Sequence, residues 1–198
     1  YGGGAGMILR CEPVLKALAA VLARGAEIDL ASVQGPAAAE TASGRRPRVI
    51  LFAPTGKTFT QSDVRRLAGE EHLVFLCGHY EGMDARIYEY ADEILSIGDY
   101  VLSGGEIAAM VVMDAVTRLL PGNLREASTE DESFEHGLLE YPQYTRPAEY
   151  DGKRVPEVLL SGNHEAIASW RHTQSLELTK RLRPDLYEAY MKRMLADQ

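Results

Sequence analysis

A chain of 198 residues, 45% of them hydrophobic, has material for a real buried core, enough for one domain plus a smaller second one. Its formal net charge of −8 speaks against an indiscriminate nucleic-acid binder, and two cysteines, Cys11 and Cys77, are too few for a disulfide framework. No apolar run reaches the roughly 20 residues of a membrane span, so the expected setting is a reducing cytoplasm with no membrane association.

The charge is unevenly spread. From Lys153 onward eight Lys/Arg face six Asp/Glu, whereas the preceding part carries 13 basic and 23 acidic residues. An acidic body with a mildly basic tail is compatible with RNA contact at one end, and equally with a plain solvated helix face. The chain opens Tyr1-Gly2-Gly3-Gly4 rather than on methionine, so an upstream segment is expected.

Residues 12–24 are expected to form a helix. Pro13 suits its first turn, Val14, Leu15, Leu18, Val21 and Leu22 share one face, and Gly25 stops it. Residues 31–48, with Pro36, Gly44 and Pro47 among alanines and arginines, form a surface loop. Residues 49–53 are a short apolar strand ended by Pro54-Thr55-Gly56, Ser62 or Asp63 caps a helix through Ala68, and residues 73–77 are the next strand. Two continuous apolar strands separated by a helix predict an α/β fold, a parallel sheet with helices on both faces. Ligands in such sheets bind beyond the carboxyl ends of the strands, where residues 54–56, 78–82 and 98–105 all fall. The last of these lies in SIGDYVLSGGE, residues 96–106, which runs into an apolar helix over 107–120. Its glycines serve either tight turns or the close approach of a ligand to the main chain.

After Pro121-Gly122 the character changes. Glu126, Glu130, Asp131, Glu132, Glu135 and Glu140 make an acidic stretch with little apolar periodicity, expected to order only with a partner. A smaller helical region follows. Asn163 is placed to cap a helix carrying Ile167 and Trp170, and Pro184 starts a last helix with Leu186, Tyr187, Tyr190, Met191 and Met194 inward. The expected division is a ligand-binding domain over 1–123, an acidic flexible linker over 124–140 and a helical domain over 141–198.

Several motifs fail on inspection. Pro54-Thr55-Gly56-Lys57-Thr58 imitates the end of a phosphate-binding loop, but the glycine needed five positions earlier is Leu51. Gly2-Gly3-Gly4-Ala5-Gly6 lacks the preceding strand and the spacing of a dinucleotide fingerprint. The five histidines and two cysteines show no paired metal spacing, and no GxSxG elbow appears.

What remains is Leu76-Cys77-Gly78-His79-Tyr80-Glu81-Gly82, the SIGDYVLSGGE segment, Tyr141-Pro142-Gln143-Tyr144-Thr145-Arg146-Pro147 and Leu159-Leu160-Ser161-Gly162-Asn163-His164. In this order they resemble the bacterial tRNA (guanine-N1)-methyltransferases of the TrmD type, within the SPOUT superfamily, over nearly the whole chain. The resemblance implies a trefoil-knotted domain, an exception to unthreaded chains. It also implies S-adenosyl-L-methionine as cofactor, tRNA gripped at its anticodon region by the C-terminal domain, and a homodimer with its active site between subunits. The matched cofactor positions are Gly78, Ile97, Gly98, Asp99, Tyr100, Val101 and Leu102, supported by Pro54, Tyr80, Glu81, Gly104 and Gly105. The acceptor is N1 of the guanine 3′ of the anticodon, which needs a general base and a cation near O6.

Arg118, in Asp114-Ala115-Val116-Thr117-Arg118, matches the family's catalytic arginine; without the resemblance it is a cation favouring a helix C-terminus. The family's base precedes Ser-Phe as an aspartate. Here that place is taken by Glu132, with Asp131 one residue earlier as the competing base. His79 stands where an arginine is common. These departures keep open an inactive RNA-binding protein on a SPOUT scaffold, and a nucleotide hydrolase acting through residues 54–58 is a third reading. The family also implies Mg2+, for which no ligand spacing locates a site. Lys180, Arg181 and Arg183 are the expected phosphate contacts.

Overall fold

The computed structural model describes residues 4–23, 47–123 and 132–196. The expected loop over 31–48 lies almost wholly outside the described residues, as do Asp131 and the first part of the acidic stretch. The chain divides into two units, Tyr1–Asn123 and Leu124–Gln198.

The first unit is built on a parallel three-stranded sheet. Its elements are α1 (Cys11–Ala23), β1 (Arg48–Thr58), α2 (Gln61–Ala68), β2 (Leu73–Cys77), a 3-10 helix (Ala85–Tyr90), β3 (Glu93–Ser96) and α3 (Glu106–Arg118). The strand order is β2-β1-β3. Alternation along β1 feeds two cores. Ile50 and Phe52 join Val64, Leu67, Leu95, Ala108, Val112 and Val116 on the side of α2 and α3. Val49 and Leu51 join Leu18, Val74, Leu76, Met83 and Ile87 on the side of α1 and the 3-10 helix. Both faces of the sheet are therefore covered, as the continuous apolar runs require.

Three local differences from expectation have physical causes. β1 does not stop at Ala53: after Phe52 its register shifts, and Lys57 and Thr58 pair again with Leu95 and Ser96 of β3. Gly56 permits this because a Cβ there would stand 2.6 Å from the Leu95 carbonyl carbon. The cap of α2 is Thr60, not Ser62 or Asp63. Asp63 instead reaches back, its Oδ2 accepting from the Thr60 N–H at 3.1 Å and the Thr60 hydroxyl at 2.8 Å. α3 spans Glu106–Arg118, so it begins one residue earlier and ends two earlier than 107–120.

The edge of this unit carries a chain of ion pairs. Lys57 Nζ meets Asp63 at 2.6 Å, Arg66 bridges Asp63 at 3.3 Å and Glu93 at 2.7 Å, and Arg48 meets Glu93 at 3.0 Å. Asp63 is buried, at 2% exposure. Burial pushes its carboxyl up, but hydrogen bonds from Lys57, Thr60 and Arg66 override this and hold it at about 2.

The second unit holds a two-stranded antiparallel ribbon, β4 (Glu149–Tyr150) and β5 (Lys153–Arg154), a short α4 (Glu157–Leu160), then α5 (His164–Leu182) and α6 (Pro184–Ala196). Asn163 caps α5, its side-chain oxygen accepting from the Ala166 N–H at 3.2 Å. Pro184 opens α6, which packs on α5. At the centre lies Thr179, fully buried, donating to the Ser175 carbonyl at 2.6 Å and accepting from the Leu139 N–H at 2.8 Å. Residues 132–140, part of the expected acidic linker, carry bonds of their own. The Phe134 N–H donates to the Leu138 carbonyl, the Glu140 N–H to the Ser133 hydroxyl, and Arg193 to the His136 carbonyl.

Candidate active site

The middle of β1, where its register shifts, and the loops after β2 and β3 converge on one cleft. Its wall includes Pro54 after the first half of β1, Gly78, Tyr80 and Glu81 after β2, and Ile97, Gly98, Tyr100, Val101, Leu102, Gly104 and Gly105 between β3 and α3. Of the twelve residues expected to hold a cofactor, only Asp99 stands outside this wall. Strand ends in a parallel sheet point one way, so segments distant in the chain meet there.

The loops are shaped from within. Ser96 Oγ donates to the Gly98 carbonyl at 3.0 Å, the Tyr100 N–H donates to the same carbonyl at 3.0 Å, and Gly98 adopts φ +151°. Tyr80 has φ +60°, costly for a bulky residue and a mark of a position held by its surroundings. The Gly105 N–H donates to the Gly78 carbonyl at 2.8 Å, tying the second loop to the third. The two adjacent glycines have different tasks. A Cβ on Gly105 would stand 2.8 Å from the Cys77 Cα, so this glycine lets the chain lie against β2. A Cβ on Gly104 would meet side-chain ends instead, the Glu106 carboxylate and His79 Nδ1.

The chemistry of the wall is selective. Among the described residues that line it there is no lysine or arginine, and Glu81 is the one carboxylate. Tyr80, Tyr88 and Tyr100 supply aromatic surface, and Val101 is 85% exposed. Such a wall suits a ligand with an aromatic ring system and a positive charge, and it is unsuited to a polyphosphate. Lys57, which the failed phosphate-loop reading needed, is held by Asp63. Cys77 is no ready nucleophile, since burial and the nearby Glu106 push its thiol up. His79 lines the cleft with its ring edge-on to Tyr80 at 4.6 Å. The sequence missed Tyr88 and Ser103 as wall residues. Tyr88 belongs to the 3-10 helix, which has no periodic signal, while Ser103 lay within a segment already singled out.

Of the expected catalytic residues, the one in this unit, Arg118, does not line the cleft. Arg118 is exposed in the last turn of α3, whereas the cleft meets the first turn at Gly105 and Ala108. At 1.5 Å per residue the two ends of α3 are about 18 Å apart. Glu132 belongs to the other unit, half-buried in the turn where its carbonyl accepts from the Glu135 N–H at 3.2 Å. It borders a depression lined also by His136, Arg171, His172 and Arg193. Asp131 lies outside the described residues. Among those described, no group of three or more His, Cys, Asp or Glu is arranged to hold a metal ion, and no helix is long and apolar enough to cross a membrane.

Comparison with known proteins follows the same lines. Residues 1–189 match the family model described as tRNA (guanine-1)-methyltransferase TrmD. The chain is 52% identical over 195 residues to a tRNA (guanine-N(1)-)-methyltransferase of Lachnospira eligens, covering 98% of this chain and 75% of that one. It is 54% identical over 192 residues to the protein of the same name from Macrococcus caseolyticus, covering 96% and 71%. A third, from Lactobacillus johnsonii, is 51% identical over 187 residues, covering 94% and 69%.

Proposed function

The chain belongs to the tRNA (guanine-1)-methyltransferase TrmD family, and from that premise we propose that it methylates N1 of the guanine immediately 3′ of the anticodon in tRNA. The observation that carries the reading is the cleft beside the middle of β1 and the ends of β2 and β3, with aromatic walls and, among the described residues that line it, one carboxylate and no lysine or arginine. S-adenosyl-L-methionine, the methyl donor that the family implies, is a sulfonium bearing adenine and supplies an electrophilic methyl group when bound. Its chemistry fits that wall. The main chain of residues 97–102 and Gly78 would hold it, with Pro54, Tyr80, Glu81, Gly104 and Gly105 closing around it. The SPOUT fold follows from the family, and the trefoil knot belongs to the same proposal.

Guanine N1 carries a proton and is a poor nucleophile until that proton leaves. In this reading the Glu132 carboxylate would accept the N1 proton and so free the nitrogen lone pair for methylation, with Asp131 as the competing base. The Arg118 guanidinium stabilises the negative charge that grows on O6. A homodimer accounts for the distance of Arg118 from the cleft of its own subunit. Ile107, Met110, Val111 and Arg118 follow helical spacing on one exposed side of α3, so a second copy covering the three apolar residues also covers the arginine. The first unit then serves cofactor and dimer, and the helical unit serves tRNA. The magnesium ion that the family implies is assigned no ligands here.

Transfer of labelled methyl to unmodified tRNA tests the reading, with a transcript carrying adenine at the target position as control. Incorporation into the guanine transcript alone supports it. No incorporation, with tRNA still bound, would favour the inactive RNA-binding protein. Glu132→Gln is expected to leave cofactor affinity intact and lower the single-turnover rate by about 10²-fold or more. A larger loss in Asp131→Asn would move the base by one residue. Arg118→Ala should lower the rate at saturating tRNA with little change in tRNA affinity.

A further inference from the structure

The basic residues that the sequence offered for RNA contact are partly engaged elsewhere. Arg183 forms a two-pronged pair with Asp185, at 2.9 and 2.6 Å, and Arg154 pairs with Glu149 at 2.8 Å. Lys180 sits over the Tyr187 ring at 5.8 Å. A different place in the same unit combines positive charge with flat aromatic surface. The loop Tyr141–Pro147 and the middle of α5 border a cleft whose polar and aromatic wall is Tyr141, Tyr144, Arg146, Trp170 and Arg171, beside the exposed Leu160. Among the described residues that line it there is no carboxylate, although the helical unit as a whole carries 14 Asp/Glu against 10 Lys/Arg. Neither Arg146 nor Arg171 has a carboxylate partner among the described residues. Positive charge is therefore gathered locally in a unit that is acidic overall.

The aromatic groups are arranged as platforms. Tyr144 is half exposed and lies 6.4 Å from Trp170, ring centre to ring centre, with the planes inclined by 52°. The Arg171 guanidinium covers the Tyr141 ring at 4.7 Å. That stacked pair also borders the neighbouring depression next to Glu132. A guanidinium already stacked on a ring keeps its other face and its edge N–H groups for a base or a phosphate.

We propose that this cleft binds single-stranded RNA, with one unpaired base stacked on Tyr144 and Trp170 and the adjoining backbone phosphate held by Arg146 and Arg171. Stacking on aromatic side chains beside arginines is the general means of gripping unpaired nucleotides, because every base has a π-face. The inference rests on the tRNA reading of the helical unit and adds where in that unit unpaired nucleotides are held, shifting it from the Lys180–Arg183 region to the Tyr141–Arg171 cleft.

Trp170 is the one tryptophan in the chain, so intrinsic fluorescence reports on the cleft directly. The full chain is titrated with a single-stranded oligoribonucleotide of about seven nucleotides and with a duplex of the same length. The expected result is saturable quenching by the single strand, weak quenching by the duplex, and apparent affinity lowered about tenfold or more in Tyr144→Ala and in Arg146→Gln. The affinity should also fall as salt rises, with a shallower slope in Arg146→Gln. The cofactor affinity of both variants should match the parent. RNA binding that leaves Trp170 fluorescence unchanged, or variants that bind RNA as tightly as the parent, would overturn the proposal. So would quenching by a proline-rich peptide with none by RNA. Should Tyr144→Ala fail to fold by circular dichroism, Arg146→Gln and the parent titration decide. A chain that transfers no methyl to tRNA would sink the enzymatic reading and leave this titration intact, because quenching needs neither turnover nor S-adenosylmethionine.

Discussion

In the sheet unit, β1 alone places Val49, Ile50, Leu51 and Phe52 almost out of water, whereas the most deeply buried side chain of the helical unit among the described residues is the hydroxyl-bearing Thr179. The first unit has two apolar cores on either side of a parallel sheet. The second has Leu138 as its one buried hydrophobic residue among those described, and α6 buries none of its side chains. The contrast separates two ways of holding a fold. One withdraws a large apolar area from water. The other relies on satisfied polar groups and half-buried aromatic and aliphatic side chains, and leaves Phe134, Tyr144 and Tyr150 exposed.

Truncation tests that contrast most severely. Leu95→Ala removes a side chain with no exposure from the middle of one core and should cost about 2–5 kcal/mol. The same change at the half-buried Leu178 of α5 should cost clearly less. Urea unfolding followed by circular dichroism measures both. Equal losses would mean that the helical unit depends on apolar burial as much as the sheet does.

The neighbouring glycines of the cleft sharpen the comparison within the first unit, between holding the fold and holding the ligand. Gly105→Val drives a branched side chain into the β2 main chain and should cost about 1–3 kcal/mol, lowering the melting temperature. Gly104→Ala meets only the mobile ends of Glu106 and His79, so the fold should persist while S-adenosylmethionine affinity falls. Isothermal titration beside thermal melts separates the two. A stable Gly105→Val or an unstable Gly104→Ala would reverse the roles.

Much of the fold of both units was legible where its signals are local and periodic. The apolar runs at 49–53 and 73–77, the Asn163 cap and the Pro184 start each carry their cause in a few residues. The second half of β1 was not legible, since its pairing to β3 depends on a register shift and on Gly56 lying against Leu95, a contact between residues far apart in sequence. The cap at Thr60 was missed because Asp63, three residues later, supplies the bond, not Thr60's immediate neighbours. For the site, the glycine loops pointed to the cleft, whereas Tyr88 entered it through a 3-10 helix that no spacing announces. The aromatic cleft of the second unit was written in Tyr141–Pro147 and Trp170, but only folding shows that they share a wall with Arg171.

A polar centre should be vulnerable to a change that leaves shape untouched. Thr179→Val keeps the volume of the side chain but leaves the Leu139 N–H without its acceptor and removes the bond to the Ser175 carbonyl. A buried donor left unpaired costs about 1–3 kcal/mol. The loss should appear in the unfolding of the helical unit, read by Trp170 fluorescence, with the sheet unit unaffected. A neutral Thr179→Val would show that packing, and not the hydrogen bond, holds that centre.

The smallest expected effect is a pH dependence confined to the sheet unit. Asp63 is held at about 2 against an ordinary value of 3.8, through its bonds from Lys57, Thr60 and Arg66. Because the folded state lowers this carboxyl, its contribution is complete above about pH 4 and disappears as the pH falls through 2. Linkage puts that contribution at about 2 kcal/mol at most. Asp63→Asn cannot ionise, and it leaves Lys57 and Arg66 facing an amide, so it should be less stable than the parent at neutral pH. The gap between the two proteins should then narrow from pH 4 towards pH 2 as the parent loses its carboxylate. Thermal melts across that window, with Trp170 fluorescence reporting the helical unit alone, measure it. A gap that stays constant over the window would remove the Lys57–Asp63–Arg66 bridge from the account of the sheet unit's stability, and a gap that also appears in the Trp170 signal would show that the two units do not unfold independently.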